Sequence, residues 1–198
     1  AALERAIENQ GLDYEVQPGE AAFYGPKIDL NVRDAIGRTW QLATIQLDFN
    51  LPSRFDLTYV DADNTEKRPV VVHRAVYGSF ERFIGILIEH YEGKFPMWLS
   101  PVQVKVLTVS SPSVEYGQEV TKQLRDAEIR TEADFGDDKI GAKIRTARLD
   151  RVPYMLIIGQ KEQETKAVAV RSREKGDEGP QPLADVIERL AAESQMEF

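Results

Sequence analysis

Residues Pro153 to Gly159 read PYMLIIG, and Tyr154 to Ile158 is the longest uninterrupted apolar run of the chain. Five residues are too few for an independent helix. Pro153 and Gly159 close the run at both ends, so it is predicted to be a strand buried on both faces. Such a strand needs helices on each side of its sheet. Upstream, VQVKVLTV at 102–109 alternates as a strand, and Ser111-Pro112 opens a helix whose Tyr116, Val120, Leu124 and Ala127 share one face. IRTEAD at 129–134 is a second strand, followed by a basic helix in which Ile140, Ile144 and Ala147 fall at i, i+4 and i+7. Downstream, KAVAVR at 166–171 is another strand, KGDEGPQP at 175–182 reads as a loop, and a last helix runs from Leu183 to Glu193. The order βαβαββα predicts a mostly parallel sheet in a three-layer α/β arrangement.

The text before this half has a different grammar. GKFPMWLSP at 93–101 carries two prolines and a glycine, which places a domain boundary there, with domains at 1–98 and 99–198. The first domain opens with a short amphipathic helix at Leu3 to Asn9. Strands are predicted near Tyr14 to Gln17, Lys27 to Arg33, Thr39 to Phe49, Phe55 to Val60 and Pro69 to His73, and a helix from Tyr77 to Tyr91. Consecutive strands with short polar links predict an antiparallel sheet, so the whole chain reads as α/β with an α+β first part.

Composition narrows the function classes. With 42% hydrophobic and 29% charged residues the 198-residue chain is too apolar and too mixed in charge for disorder. No apolar run approaches the roughly 20 residues of a membrane span. The absence of cysteine excludes disulfides, thiolate metal sites and thiol nucleophiles, and accords with a reducing, cytoplasmic compartment. The chain begins Ala-Ala-Leu without Met or a targeting segment, and reads as a piece of a longer protein. A net charge of −8 argues against indiscriminate attraction to nucleic acid or anionic membrane. One stretch departs from this: Lys139, Lys143, Arg145, Arg148 and Arg151 against Asp150 give a local +4. That stretch is either the solvated face of the helix or a surface that takes a phosphate backbone.

Polar residues interrupt the apolar strands of the first half. Thr44, Gln46 and Asp48 share one strand face, and under strict alternation Gln41 falls on the other. His73 ends an apolar strand, Gly78-Ser79 permits close backbone approach, and Arg82 lies one turn into the following helix. An arginine there keeps its charge at neutral pH and suits phosphate or a stacked base.

FYGPKID at 23–29, IQLDFNLPSRF at 45–55 and HRAVYGSFERF at 73–83 together resemble the later part of the catalytic domain of the threonyl-tRNA synthetase family, the last matching the third signature motif of class II synthetases. The second half resembles the anticodon-binding domain of that subgroup. The resemblance implies a ligase that activates threonine with ATP and Mg²⁺ and transfers it to tRNA(Thr), as a homodimer when complete. By matching position, Arg82 contacts ATP phosphate and stacks near the adenine. Tyr24, Gln41, Gln46 and Ser79 line the threonine and adenylate pocket, with Lys27 and Thr44 beside them. His73 matches one of three zinc ligands. The other two belong upstream, and His90, the remaining histidine, falls on the following helix, so a complete zinc site is not expected here. Arg145, Arg151, Glu162 and Arg171 match contacts to anticodon bases, Lys139 and Lys143 are expected on phosphates, and Asp137 stands where an amide is expected. The chain alone is expected to be inactive. A contrasting reading, a tRNA-binding protein that kept the fold and lost catalysis, gives no reason to retain Tyr24, Gln41, Gln46, His73, Ser79 and Arg82 together.

Overall fold

The computed structural model describes residues 2–195. Its chain forms two compact units that divide between His90 and Tyr91.

The first unit runs α1 (Ala2–Glu8), β1 (Lys27–Arg33), β2 (Thr39–Asp48), α2 (Asn50–Arg54), β3 (Tyr59–Val60), β4 (Glu66–Lys67), β5 (Val71–Ala75) and α3 (Phe80–His90). Strands β1, β2 and β5 make an antiparallel three-stranded sheet with β2 at its centre. Asp34 pins the β1–β2 hairpin: it accepts the backbone N–H of Ile36 and Arg38 at Oδ1, and Arg38 Nε (2.6 Å) and Trp40 Nε1 (2.8 Å) at Oδ2. Arg38 also reaches Glu89 on α3 at 2.5 Å.

Three predicted elements differ here. Residues 14–17 lie outside any strand, and of the stretch 55–60 only Tyr59–Val60 pairs, in a two-residue ribbon with β4. The third strand starts at Val71 because Pro69 has no N–H for a ladder. Helix α2 was not anticipated; Asp48 initiates it by accepting the N–H of Asn50 (2.8 Å) and Leu51 (3.0 Å). Among the unit's described residues, Leu42, Asp48 and Pro52 are the buried positions, while Phe23, Ile36, Phe55 and Phe80 are exposed.

The second unit runs β6 (Val104–Thr108), α4 (Val114–Asp126), β7 (Thr131–Asp134), α5 (Ile140–Leu149), β8 (Tyr154–Ile158), α6 (Gln160–Thr165), β9 (Ala167–Ser172), β10 (Gly176–Pro182) and α7 (Leu183–Glu193). The sheet order is β10-β9-β8-β6-β7. The three strands β7, β6 and β8 are parallel, as predicted, and β9 and β10 extend the sheet antiparallel on the β8 side. Strand β8 is the PYMLIIG run. Its Leu156 and Ile158 join Val104, Val106, Val168 and Val170 beneath α4 and α7, while Met155 and Ile157 turn the other way with Leu107 onto Ile140, Ile144 and Ala147 of α5. Both faces of the strand are thereby covered.

Two elements escaped the sequence reading. Helix α6 has six residues, too few for a periodic signal, and β10 has the Gly and Pro composition of a loop. As an edge strand β10 tolerates Pro180 and Pro182, and a register shift between Asp177 and Gly179 absorbs the irregularity.

The proline-bearing segment before β6 belongs to this unit. Gln103, 0% exposed, donates from Nε2 to Met97 O (2.9 Å) and accepts Arg130 N–H at Oε1 (2.8 Å). The Arg130 guanidinium donates to Ser100 O (2.9 Å) and Trp98 O (2.7 Å). These bonds satisfy backbone carbonyls that no ladder reaches.

Candidate functional site

The first unit presents its polar residues as rows across the sheet. Lys27 on β1 lies opposite Gln46 on β2, and Gln46 opposite His73 on β5; one step along, Asp29 lies opposite Thr44. Residues paired across strands share a face, so this face carries Lys27, Asp29, Thr44, Gln46 and His73 together. Gln41 joins them through a β-bulge. Between Leu30 and Asn31 the register shifts, so that Leu30 faces Ala43 while Asn31 faces Gln41. The extra residue on β2 inverts the alternation, and Gln41 ends up opposite Asn31, two positions along β1 from Asp29. Strict alternation had put Gln41 on the far face; the bulge corrects that.

Hydrogen bonds fix what each group can offer. Tyr24 Oη donates to Gln46 Oε1 at 2.9 Å, which leaves the Gln46 amide N–H₂ as the donor toward a ligand. Thr44 Oγ1 donates to Asp29 Oδ1 (2.9 Å), and Lys27 Nζ pairs with Asp29 Oδ2 (2.5 Å), a bond that raises the lysine pKa. Asp29 was not singled out by the sequence, yet it ties two predicted pocket residues. Its signal was its i+2 spacing from Lys27.

His73 Nε2 lies 2.9 Å from Asp48 Oδ2, and the Tyr24 ring stands edge-on to the imidazole at 5.9 Å between centroids. Burial raises the Asp48 pKa, but hydrogen bonds from His73 and from the Leu51 and Asn50 amides outweigh it and leave the carboxyl below its ordinary range. A carboxylate on one imidazole nitrogen is the arrangement that orients a ligating histidine and leaves the other nitrogen for a metal. His73 therefore fits as one zinc ligand. Among the described residues no group of three or more His, Cys, Asp or Glu side chains could hold a metal, so the set does not complete within them.

Arg82 and Ser79 sit at the start of α3. Ser79 Oγ accepts the Arg82 N–H at 3.2 Å, capping the helix, which gives Ser79 a structural use beside its expected pocket role. Arg82 Nη1 donates to Gln41 O at 3.4 Å, which places the guanidinium against the bulge. Gly78, at φ +69°, lies where a Cβ would come 3.3 Å from Leu42 O; the turn closes onto β2 at the bulge itself.

In the second unit the expected RNA-facing residues lie on α5, on the α5 face of the sheet and at the ends of the parallel strands. Arg171 on β9 pairs with Met155, which pairs with Lys105 on β6, so Arg171 shares the α5 face; it is partly exposed and 3.6 Å from Asp177. Arg145 and Arg148 are exposed on α5, and Arg151 follows the helix end in a left-handed conformation, φ +56°. Lys139 immediately precedes α5, and Glu162 in α6 accepts the Gly159 N–H at 3.0 Å; both lie at the carboxyl ends of the parallel strands. The set therefore runs the length of β8, about 15 Å at 3.3 Å per residue. Lys143 does not belong to it. Its side chain is buried, 2% exposed, and turned into the protein, so the expected phosphate contact has no geometric basis.

Comparison with known proteins agrees with this division. Residues 3–91 match the model of the tRNA synthetase class II core domain (G, H, P, S and T), and residues 103–193 match that of the anticodon binding domain. Over 189 residues, 96% of the chain, it is 56% identical to the threonine–tRNA ligase of Acetivibrio thermocellus, and over 192 residues, 97% of the chain, 54% identical to that of Carboxydothermus hydrogenoformans. It spans 30% of the length of each of these curated relatives. The crystal structure of the RNA binding domain of threonyl-tRNA synthetase from Cryptosporidium parvum Iowa II superposes with a TM-score of 0.85 at 40% identity, covering 99% of this chain and 50% of that one. With a class II core match, an anticodon-domain match and threonine–tRNA ligase similarity along nearly all its length, the chain belongs to the threonyl-tRNA synthetase family.

Proposed function

We propose that this chain supplies one part of a threonine-activating site and the anticodon-reading module of a threonine–tRNA ligase that forms threonyl-adenylate and transfers threonine to tRNA(Thr) in the cytoplasm. The observation that supports this most is the polar face of the three-stranded sheet, where a bulge brings Gln41 into line with Thr44, Gln46 and His73. In activation the threonine carboxylate attacks the α-phosphate of ATP and pyrophosphate leaves. Arg82, anchored by one N–H on Gln41 O, holds a permanent positive charge where phosphate charge develops. Gln46, its carbonyl taken by Tyr24, offers amide donors to the substrate, and Thr44, its proton given to Asp29, offers lone pairs. Mg²⁺ bound with ATP supplies further charge neutralisation on the phosphates. Zinc in the complete enzyme, with His73 as one ligand, supplies the centre that prefers a hydroxyl-bearing amino acid to its isostere. The homodimer belongs to the complete enzyme in this reading.

The test is a chimera in which this chain replaces the matching segment of the A. thermocellus enzyme. Threonine-dependent ATP–pyrophosphate exchange by the chimera, lost on Arg82→Ala and on Gln46→Ala, is the expected result. A folded chimera with no exchange contradicts the proposal.

A further inference from the structure

Lys143 lies on the basic helix α5, yet its ammonium is turned inward to the carboxyl ends of β6 and β7. Nζ donates to Gly136 O at 2.6 Å, Thr108 O at 3.0 Å and Asp134 O at 3.3 Å, with Asp134 Oδ1 3.8 Å away. An ammonium has three N–H donors, and three carbonyls take them. None is left for a phosphate. Burying that charge is costly unless it is fully hydrogen-bonded and partly neutralised, which the carbonyls and the Asp134 carboxylate accomplish.

The identity of the three carbonyls gives the interaction a direction. Thr108 ends β6, Asp134 ends β7, and Gly136 is in the loop that follows. Those strands are parallel neighbours, and open α/β sheets bind ligands just outside the carboxyl ends of such strands. The loop between β7 and α5 carries Asp137 and Lys139, both exposed, and Gly136 N–H also closes onto Asp134 Oδ1 at 3.1 Å. We infer that Lys143 is a positioning residue for anticodon recognition: it clamps the 135–139 loop to the ends of β6 and β7 and sets base preference without touching RNA. The inference rests on the anticodon-reading proposal and assigns Lys143 a role opposite to that of a surface lysine. A phosphate contact would act equally on every loop; a clamp acts on the discrimination between loops.

The experiment uses the whole chain, the variants Lys143→Met and Lys143→Gln, and two RNA stem-loops: one with a threonine anticodon, one with its second and third anticodon bases changed. Affinities are measured across a salt series, and folding is checked by circular dichroism. Lys143→Met is expected to lower the preference for the threonine loop about tenfold, with the slope of log affinity against log salt unchanged. Lys143→Gln, which keeps two donors, is expected to fall between it and the unmodified chain. Amide exchange at residues 136–139, which needs no RNA, is expected to quicken in Lys143→Met. An unchanged preference in the variant overturns the inference, as does a uniform loss with the slope reduced by about 0.7 to 0.9, the signature of one lost phosphate contact. Unfolding of both variants overturns it too, by making Lys143 a residue of global stability. No preference in the unmodified chain refutes the anticodon-reading proposal, and unchanged amide exchange then refutes the clamp separately.

Discussion

Gly25→Ala tests how the FYGPK segment builds the polar face. Gly25 adopts φ +156°, and a Cβ added there would stand 2.0 Å from Leu47 O, 3.0 Å from Leu47 C and 3.3 Å from the Phe49 ring. The obstruction is backbone of the central strand, which cannot rotate aside. To relieve it the segment must lift away from β2, and the two bonds on either side of Gly25, Leu47 N–H to Pro26 O and Phe49 N–H to Tyr24 O, both 3.0 Å, must open. Each is worth about 1 kcal/mol net. Forcing alanine into this backbone region costs about 1–3 kcal/mol more, so the combined loss is about 3–5 kcal/mol. That is a large share of the ~5–15 kcal/mol by which domains are stable. Tyr24 moves with the segment, and its bond to Gln46 goes. The chain has two tryptophans, Trp40 and Trp98. In a Trp98→Phe background the remaining indole reports on the first unit, and its urea transition measures the loss. A loss below about 1 kcal/mol refutes the reasoning, since it means the segment is not seated on β2 as described.

Three further outcomes follow from the same geometry. Burial raises the Asp34 pKa, but hydrogen bonds from Trp40 and Arg38 outweigh it and hold the carboxyl at about 2. The depressed value means its stabilisation of the β1–β2 hairpin is complete above the ordinary 3.8 and disappears as pH falls toward 2, a dependence that acid titration should show and Asp34→Asn should abolish. Leu156→Ala, at a fully buried position between β8 and the helices above it, should cost about 2–5 kcal/mol in denaturant unfolding of the second unit. The 22.4 kDa chain alone should show no threonine-dependent ATP–pyrophosphate exchange above a no-enzyme control, and exchange in that assay would mean its residues complete the site.

What the sequence made legible depended on length and period. PYMLIIG could be placed because a five-residue apolar run between a proline and a glycine has few other uses, and β8 is indeed covered on both faces. Helix α6 and strand β10 could not, the first because a turn and a half has no period to read, the second because its prolines lie on a sheet edge where composition resembles a loop. The candidate pocket shows the same limit. Thr44, Gln46 and Asp48 could be assigned a common face by alternation, but the bulge that returns Gln41 to that face is a backbone irregularity with no residue signature of its own. Lys143 is the plainest case. Its charge placed it with Arg145 and Arg148, while the helical period placed it between Ile140 and Ala147, on the side turned toward the sheet. Charge won the reading and geometry won the fold, because a long side chain with three carbonyls at its tip can be buried where its charge alone argues against it.

The most direct test of the central claim, that the second unit reads a threonine anticodon, is the ratio of affinities of the unmodified chain and Arg171→Ala for threonine and base-changed stem-loops at several salt concentrations. Arg171 lies partly exposed on the α5 face of the sheet. The account predicts a threonine-loop preference that persists across the salt series and a loss of about 1–3 kcal/mol of it in Arg171→Ala, as for other base-reading arginines. Equal binding of both loops by the unmodified chain, declining together with salt, would contradict it and leave the basic helix as a solvated face.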